Sequence, residues 1–187
     1  MLSIVFTSIL FWAAAASPTG PDPLIEHLNA ACANSEVDVR FSLAHAFDRE
    51  QTIQSLQSGV PTSLTYIVEV FRKRPLWFDE GIGRARIEVI ATFNSVTREY
   101  LLNYRRDRKL VRSETFSDLA ALQHAMTHID EPKLFDIGKR HPYKLAVRVK
   151  ADLMRGWLLY VIPWEVSTRW KEARVEAPQP EAARETQ

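Results

Sequence analysis

The chain has 187 residues, of which 46% are hydrophobic and 25% charged, a composition typical of one globular domain that can bury a core without disulfides or metals. Its formal net charge is +1, which argues against a nucleic-acid-binding protein. Attraction to any acidic partner must therefore come from local clusters of Lys and Arg.

The first sixteen residues are uncharged and mostly apolar. Ala14 and Ala16 form the small-residue pattern of a signal-peptide cleavage site before Ser17, and the run is shorter than the ~20 residues that a membrane-spanning helix needs. Residues 1–16 are therefore predicted to be a secretory signal peptide. The absence of basic residues at its start would also fit an uncleaved anchor.

Residues 17–35 contain three prolines and are predicted to be a lead-in linker, with a short helical turn at Leu24–Ala33. The linker carries Cys32, which is the only cysteine, so no disulfide can form within the chain. An acylated cysteine would directly follow the apolar run, whereas charged Glu26 separates the two. We therefore interpret Cys32 as an unpaired, buried thiol.

Apolar and polar residues alternate in several later segments, the pattern of strands with one face in a core. Turn residues at Asn94–Ser95 and Asp107–Arg108 separate consecutive segments, which favours an antiparallel meander. The predicted strands are Val37–Leu43, Leu64–Arg74, Arg86–Asn94, Arg98–Arg106, the return strand Lys109–Phe116, and Tyr143–Leu153.

Two short helices are predicted at about 49–58 and 117–130, because a capping residue precedes each of them and Gly59 or Pro132 follows. The fold class is therefore mainly β (α+β): an antiparallel β-sandwich built on a meander, spanning residues 36–170. Residues 171–187 are rich in Ala, Glu, Pro and Arg and are predicted to be a disordered tail.

Short motifs occur in an order that carries a family resemblance. They are Ser58-Gly-Val-Pro61, Arg72-x-Arg74 followed by Trp77-Phe-Asp79, Phe93-Asn-x-x-Thr-Arg-Glu-Tyr100, Phe116-Ser-x-Leu119, and Arg148-x-x-x-Asp152-Leu153. Over Asn34–Trp170 the chain resembles a bacterial exported family, the domain of unknown function 4390. The resemblance implies an extracytoplasmic, mostly β domain without assigned activity or functional residues. Members are sometimes encoded near a nitrogen-type membrane sensor kinase, which implies a possible signalling partner.

His124 and His128 are four residues apart on the second predicted helix, a spacing that lets two imidazoles bind one zinc ion. Glu131 and His141 are candidate further ligands. A zincin, however, has Glu directly after its first His, where this chain has Ala125. We interpret the pair as exposed histidines. A metal-dependent hydrolase using His124 and His128 remains an alternative, and no serine or cysteine hydrolase motif is present.

The meander would bring the ends of three strands together at one pole of the sheet. Nine basic residues against three acids, or +6, would meet there, and we predict that this basic pole binds an anionic membrane surface or an acidic envelope protein. One acid on an apolar strand, Glu69, is expected to pair with an arginine of a neighbouring strand. The basic residues are Arg72, Lys73, Arg74, Arg84, Arg86, Arg105, Arg106, Arg108 and Lys109, and the acids are Asp79, Glu80 and Asp107.

Aromatic residues near this pole complete the predicted binding surface. Trp77 and Phe78 are expected to fold back onto the sandwich, whereas the segment Trp157–Trp164 is either a core strand or an exposed docking patch. The chain is thus predicted to be an exported, non-catalytic binding or adaptor domain of the bacterial cell envelope, without a cofactor. A lipid-type small-ligand carrier is the other alternative to the hydrolase.

Overall fold

The computed structural model describes residues 21–138, 144–158 and 162–176, except for the side chains of Gln51, 154–158 and 162–166. The predicted signal peptide and His141 lie outside these residues. The described part is mostly strand with two short helices, which confirms the predicted mainly β class. Its elements are β1 (Leu24–Ala33), β2 (Glu36–Ala44), α1 (Glu50–Gln57), β3 (Thr62–Arg72), β4 (Glu80–Asn94), β5 (Glu99–Arg106), β6 (Lys109–Phe116), α2 (Leu119–Thr127), β7 (His128–Asp136), β8 (Leu145–Leu158), β9 (Ile162–Ser167) and β10 (Lys171–Glu176).

The described strands form one hydrogen-bonded sheet rather than the two stacked sheets of the predicted sandwich. Its order is β6-β5-β4-β3-β8-β10-β1-β2-β7, with β9 paired to β8. The run β3 to β6 is an antiparallel meander, and β1 pairs with β10 in parallel. The sheet curls like a half-barrel, so strands far apart in this order face each other across one core.

The helix α2 contacts both ends of the curled sheet, β2 and β7 at one end and β5 and β6 at the other. Its Leu122 and Met126 are fully buried, and the Tyr66 hydroxyl of β3 donates a 2.7 Å hydrogen bond to the Met126 carbonyl. Asp118 caps the helix by accepting from the Ala121 amide at 2.8 Å. The helix ends at Thr127, before the predicted residue 130, because the following residues pair with β2 as strand β7.

Two predictions about the ends of the domain are wrong. The predicted linker contains strand β1, where a bulge between Glu26 and Asn29 interrupts the alternation of apolar residues. Cys32 in this strand is a buried free thiol, as expected, and burial raises its pKa. The predicted tail begins with β10, which buries Val175 between β1 and β8. No helix in the described part of the chain is long and apolar enough to cross a membrane.

Candidate binding surface

The loop between β3 and β4 projects from one end of the sheet. The last cross-strand pair on either side of it is Arg72 opposite Glu80. The Arg74 amide donates to Asp79 Oδ1 at 3.4 Å, and Leu76 adopts a left-handed backbone with φ of 64°. These contacts close the loop on itself beyond the end of the ladder.

Three large apolar side chains at the tip of this loop face solvent. Leu76 is 102% exposed, Trp77 72% and Phe78 90%. The prediction that Trp77 and Phe78 fold back onto the core is therefore wrong, since the loop extends past the paired strands that could have covered them. We call Leu76, Trp77 and Phe78 the apolar tip.

The cations flanking the apolar tip are paired with acids. Arg72 Nη1 lies 3.4 Å from Glu80 Oε2, and Arg74 contacts the same carboxylate oxygen. Lys73 pairs with Glu172, which lies on β10 and is distant in sequence. Little uncompensated positive charge is left beside the tip.

A cleft of about 370 Å³ lies beside the loop, and Glu69, Asp79 and Gly81 contribute to its lining. Glu69 Oε1 is 3.6 Å from Arg84 Nε, and Glu69 Oε2 is 2.7 Å from Arg148 Nη2, which confirms the expected partner arginine on both neighbouring strands. The Arg148 guanidinium also lies over the Phe71 and Trp170 rings, at 5.3 and 4.8 Å from their centroids. These ion pairs and cation–π contacts stabilise the wall of the cleft.

The remaining basic residues of the predicted pole lie farther back. Strand β5 ends at Arg106 opposite Ile87, so the β5–β6 turn stands about 20 Å from Glu80 at ~3.3 Å per residue of β4. Arg86 pairs with Glu88 at 2.8 Å and Arg106 with Glu131 at 3.1 Å. In the described part of the chain, no acid pairs with Arg105, Arg108 or Lys109.

The predicted charge of +6 is consequently wrong. Four acids that the sequence count omitted lie within 4 Å of these cations, and one of them, Glu69, also pairs with Arg148 of β8, which leaves ten positive against seven negative charges, or +3. Two of these acids lie on the strands of the meander itself, and the other two come from β7 and β10. The omitted acids are Glu69, Glu88, Glu131 and Glu172.

Glu131 belongs to a buried polar cluster that joins β5 to β7. Its carboxylate accepts from the buried Tyr104 hydroxyl and from Arg106 Nη1, and the Arg112 guanidinium lies 4.4 Å from the centroid of the Tyr104 ring. Burial, and then the hydrogen bond to Glu131, raise the pKa of Tyr104 well above its ordinary value. Every member has a partner, so this cluster stabilises the fold rather than offering a free reactive group.

The two histidines are exposed, as interpreted from the sequence, but they do not lie on one helix face. His124 lies in the last turn of α2, whereas His128 is the first residue of β7. Their rings stack with centroids 3.9 Å apart and an angle of 10° between the ring planes. Lone pairs on imidazole nitrogens lie in the ring plane, so stacked rings point their nitrogens in parallel rather than at one ion. Among the described residues, no group of three His, Cys, Asp or Glu is placed to hold a metal.

Trp157 and Trp164 lie on paired strands, because β8 and β9 form a hairpin with Trp157 opposite Pro163 and Trp164 opposite Arg155. The side chains of both tryptophans are outside the described residues. The two predicted alternatives for this segment, a core strand or an exposed docking patch, therefore both stay predictions.

A family model, the domain of unknown function 4390, matches residues 23–174. The chain belongs to this family. No curated protein and no solved structure matches the chain. The domain of unknown function 4390 match starts one residue before β1 and ends within β10, so the two terminal strands that the sequence analysis missed lie at the ends of the family's domain.

Proposed function

We propose that this member of the domain of unknown function 4390 family is an exported, non-catalytic binding domain that docks onto a protein of the bacterial cell envelope through its apolar tip. The exposure of Leu76, Trp77 and Phe78 carries the proposal. Fully burying one such side chain is worth about 1.5–3 kcal/mol, so three adjacent ones offer a large gain to a partner that covers them. Contiguous exposed apolar residues of this size mark interaction sites.

The surroundings of the tip favour a protein over a lipid surface. An anionic membrane gains about 1 kcal/mol for each uncompensated Lys or Arg near its surface, but the cations beside the tip are paired with Glu80 and Glu172. Protein interfaces instead combine a buried apolar and aromatic centre with a polar rim rich in arginine. The apolar tip with its rim of ion pairs matches that anatomy.

The two alternatives have weaker support from the geometry. A lipid-type carrier needs an open interior, whereas Tyr66, Leu122 and Met126 fill the inside of the curled sheet and are fully buried. A hydrolase built on His124 and His128 needs nitrogens that converge on an ion, and the two rings are stacked.

The docking proposal is tested with a variant in which all three tip residues are replaced by Ser. Val96, which is 90% exposed in the turn between β4 and β5 at the other end of β4, provides the matched control Val96→Ser. Immobilised wild type and Val96→Ser are expected to retain the same protein from a detergent extract of the envelope, and the triple variant to lose it. Equal retention by the triple variant would overturn the proposal.

A second arm distinguishes lipid from protein. Protein-free vesicles of phosphatidylglycerol and phosphatidylethanolamine are expected not to sediment the wild-type chain. Sedimentation that disappears in the triple variant would show that the tip binds membrane instead.

Export is tested separately by fractionating cells and sequencing the N-terminus of the purified chain. An extracytoplasmic chain beginning at Ser17 is expected if residues 1–16 are a cleaved signal peptide. A cytoplasmic chain that retains Met1 would contradict export without bearing on the docking surface.

A further inference from the structure

Strand β4 extends beyond the end of its neighbour β5. Strand β3 pairs with β4 from Ala91 down to Glu80, whereas β5 pairs only with the stretch from Ile87 to Asn94. On the β5 side, residues 81–85 of β4 therefore have no strand partner among the described residues. This open edge begins directly after the apolar tip and ends at the β5–β6 turn.

The backbone direction at the end of the β4–β5 ladder is fixed by Arg86. The Asp107 amide donates to the Arg86 carbonyl at 2.8 Å, and the Arg86 amide donates to Asp107 Oδ1 at 2.9 Å. Both backbone groups of Arg86 thus face the β5 side. Backbone groups alternate with a period of two residues in a strand, and the register with β3 is regular from Arg84 to Arg86.

The N–H and C=O of Arg84 consequently point to the same side, beyond the end of β5. No described residue makes a hydrogen bond to either group on that side. Arg84 therefore presents one donor and one acceptor at the spacing that an added strand would use.

The two glycines of this edge differ in their surroundings. A Cβ at Gly81 would meet no atom within 4 Å, whereas a Cβ at Gly83 would lie 2.8 Å from the Phe135 ring on the core side. The register with β3 shifts between these two glycines, which bends the strand. Glycine inside a strand often marks a bulge or a site where another backbone approaches closely.

We infer that an extended segment of the docked protein adds to the open edge of β4 as an extra strand, pairing with the backbone of Arg84. This inference rests on the proposed function, since the added segment would pass beside the apolar tip. Its residues near the tip would be apolar. An acidic residue is expected at its other end, where Arg105 and Arg108 of the β5–β6 hairpin have no acid partner among the described residues.

The outer edge of β6 is an end of the sheet. It carries Lys109, Arg112 and Glu114, and its register with β5 shifts between Leu110 and Arg112. Charged side chains and bulges are features that protect edge strands from pairing. The edge of β4 also has a register shift, between Gly81 and Gly83, but the side chain of its one cation, Arg84, is held 3.6 Å from Glu69 of β3.

The outer edge of β6 also supplies a matched control. The Asp107 amide faces Arg86 of β4, so alternation of the backbone groups along β5 points the N–H and C=O of Tyr104 toward β6. Arg112 is the β6 partner of Tyr104, and its N–H and C=O therefore point toward β5. The neighbouring Ser113 therefore has its N–H on the outer edge. Proline at Arg84 or at Ser113 removes one outward N–H in each case, and proline is tolerated where a strand N–H faces solvent.

The experiment measures retention of the envelope-extract protein by Arg84→Pro, Arg84→Ala and Ser113→Pro, with thermal unfolding to verify that each variant folds. Arg84→Ala loses the side chain but keeps the N–H, so it separates charge from backbone pairing. Arg84→Pro is expected to bind about tenfold more weakly than Arg84→Ala, and Ser113→Pro as well as wild type. Equal affinities of Arg84→Pro and Arg84→Ala would overturn the added strand.

Hydrogen exchange on the wild-type complex gives a second test that needs no variant. The Arg84 amide is expected to exchange more slowly with the retained protein bound, and the Ser113 amide at an unchanged rate. Unchanged exchange at Arg84 would contradict the inference. If the triple-Ser tip variant loses the partner while Arg84→Pro keeps it, strand addition fails and tip docking stands. If both variants keep the partner, both proposals fail.

Discussion

The Tyr104–Glu131 pair is expected to contribute measurably to stability, because it links β5 to β7 across the core. Tyr104 is 2% exposed and Glu131 6% exposed, so water cannot replace either group's partner. Tyr104→Phe leaves Glu131 with Arg106 at 3.1 Å and should lower the free energy of unfolding by about 1–1.5 kcal/mol. Glu131→Ala also leaves the Tyr104 hydroxyl unpaired and should cost about 2–3 kcal/mol. This is less than the full penalty for a broken buried pair, since Arg106 is partly exposed and can reach water.

Urea unfolding at pH 7 measures these differences, with Glu114→Ala as the control. Glu114 pairs with Arg112 at 3.2 Å on the exposed surface of β6, so its loss should change stability by roughly 0.5 kcal/mol or less. A double-mutant cycle of Tyr104→Phe and Glu131→Gln should show a coupling energy of about 1 kcal/mol. Additive effects, or a Tyr104→Phe variant as stable as wild type, would refute the buried pair.

Two further predictions concern buried groups of the same core. Burial raises the pKa values of Tyr66 and Tyr104 in the folded chain. Below the unfolded tyrosine pKa of about 10, both residues are protonated in the folded and the unfolded chain, and their contribution to stability is complete. Above that pH only the unfolded chain ionises, so each tyrosine should lower the free energy of unfolding by ~1.4 kcal/mol per pH unit. Tyr104→Phe should therefore flatten the decline of stability measured by urea unfolding between pH 10 and 11, and an unchanged slope would contradict the shift. Gly83→Ala should destabilise the fold by about 1–3 kcal/mol, because the added Cβ would lie 2.8 Å from the Phe135 ring. The control Gly81→Ala should stay near wild type in thermal unfolding, since its Cβ would meet no atom within 4 Å. Equal stability of the two variants would refute the contact.

Local alternation was sufficient to predict most strands of the meander and β2. In β4, for example, Ile87, Val89 and Ala91 are all buried as expected. The Asp107–Arg108 turn was also predictable, and both residues adopt positive φ, as a two-residue hairpin requires. These features depend on neighbours in sequence, so the sequence contains their signal.

The two strands that link the halves of the sheet carried no such signal. In β1 the bulge shifts the phase of alternation, so Leu24, Ile25 and Leu28 follow the spacing of a helix. In β10 Val175 is the one fully buried apolar side chain, and its partners on β1 and β8 are remote in sequence. Without these two strands, the single curled sheet could not be distinguished from a sandwich.

Trp77 and Phe78 of the predicted binding surface are exposed, whereas the sequence analysis expected them to fold back, and it overestimated the charge around them. The register that the sequence itself suggests would have placed Glu69 opposite Arg84 and Glu88 opposite Arg105, and so reduced the expected charge. Glu172 could not be assigned, because its strand was not predicted. Exposure of the apolar tip depends on how far β3 and β4 extend together, which alternation alone does not determine.

A photo-crosslinking amino acid at position 77, compared with one at position 96, tests docking through the apolar tip most directly. Both positions lie in exposed turns at opposite ends of β4. A difference in crosslinking between them therefore reflects where the partner binds rather than how accessible each position is. In living cells, position 77 is expected to give one discrete adduct with an envelope protein and position 96 none. Adducts at position 96 but not at position 77, or none at either position, would contradict the account.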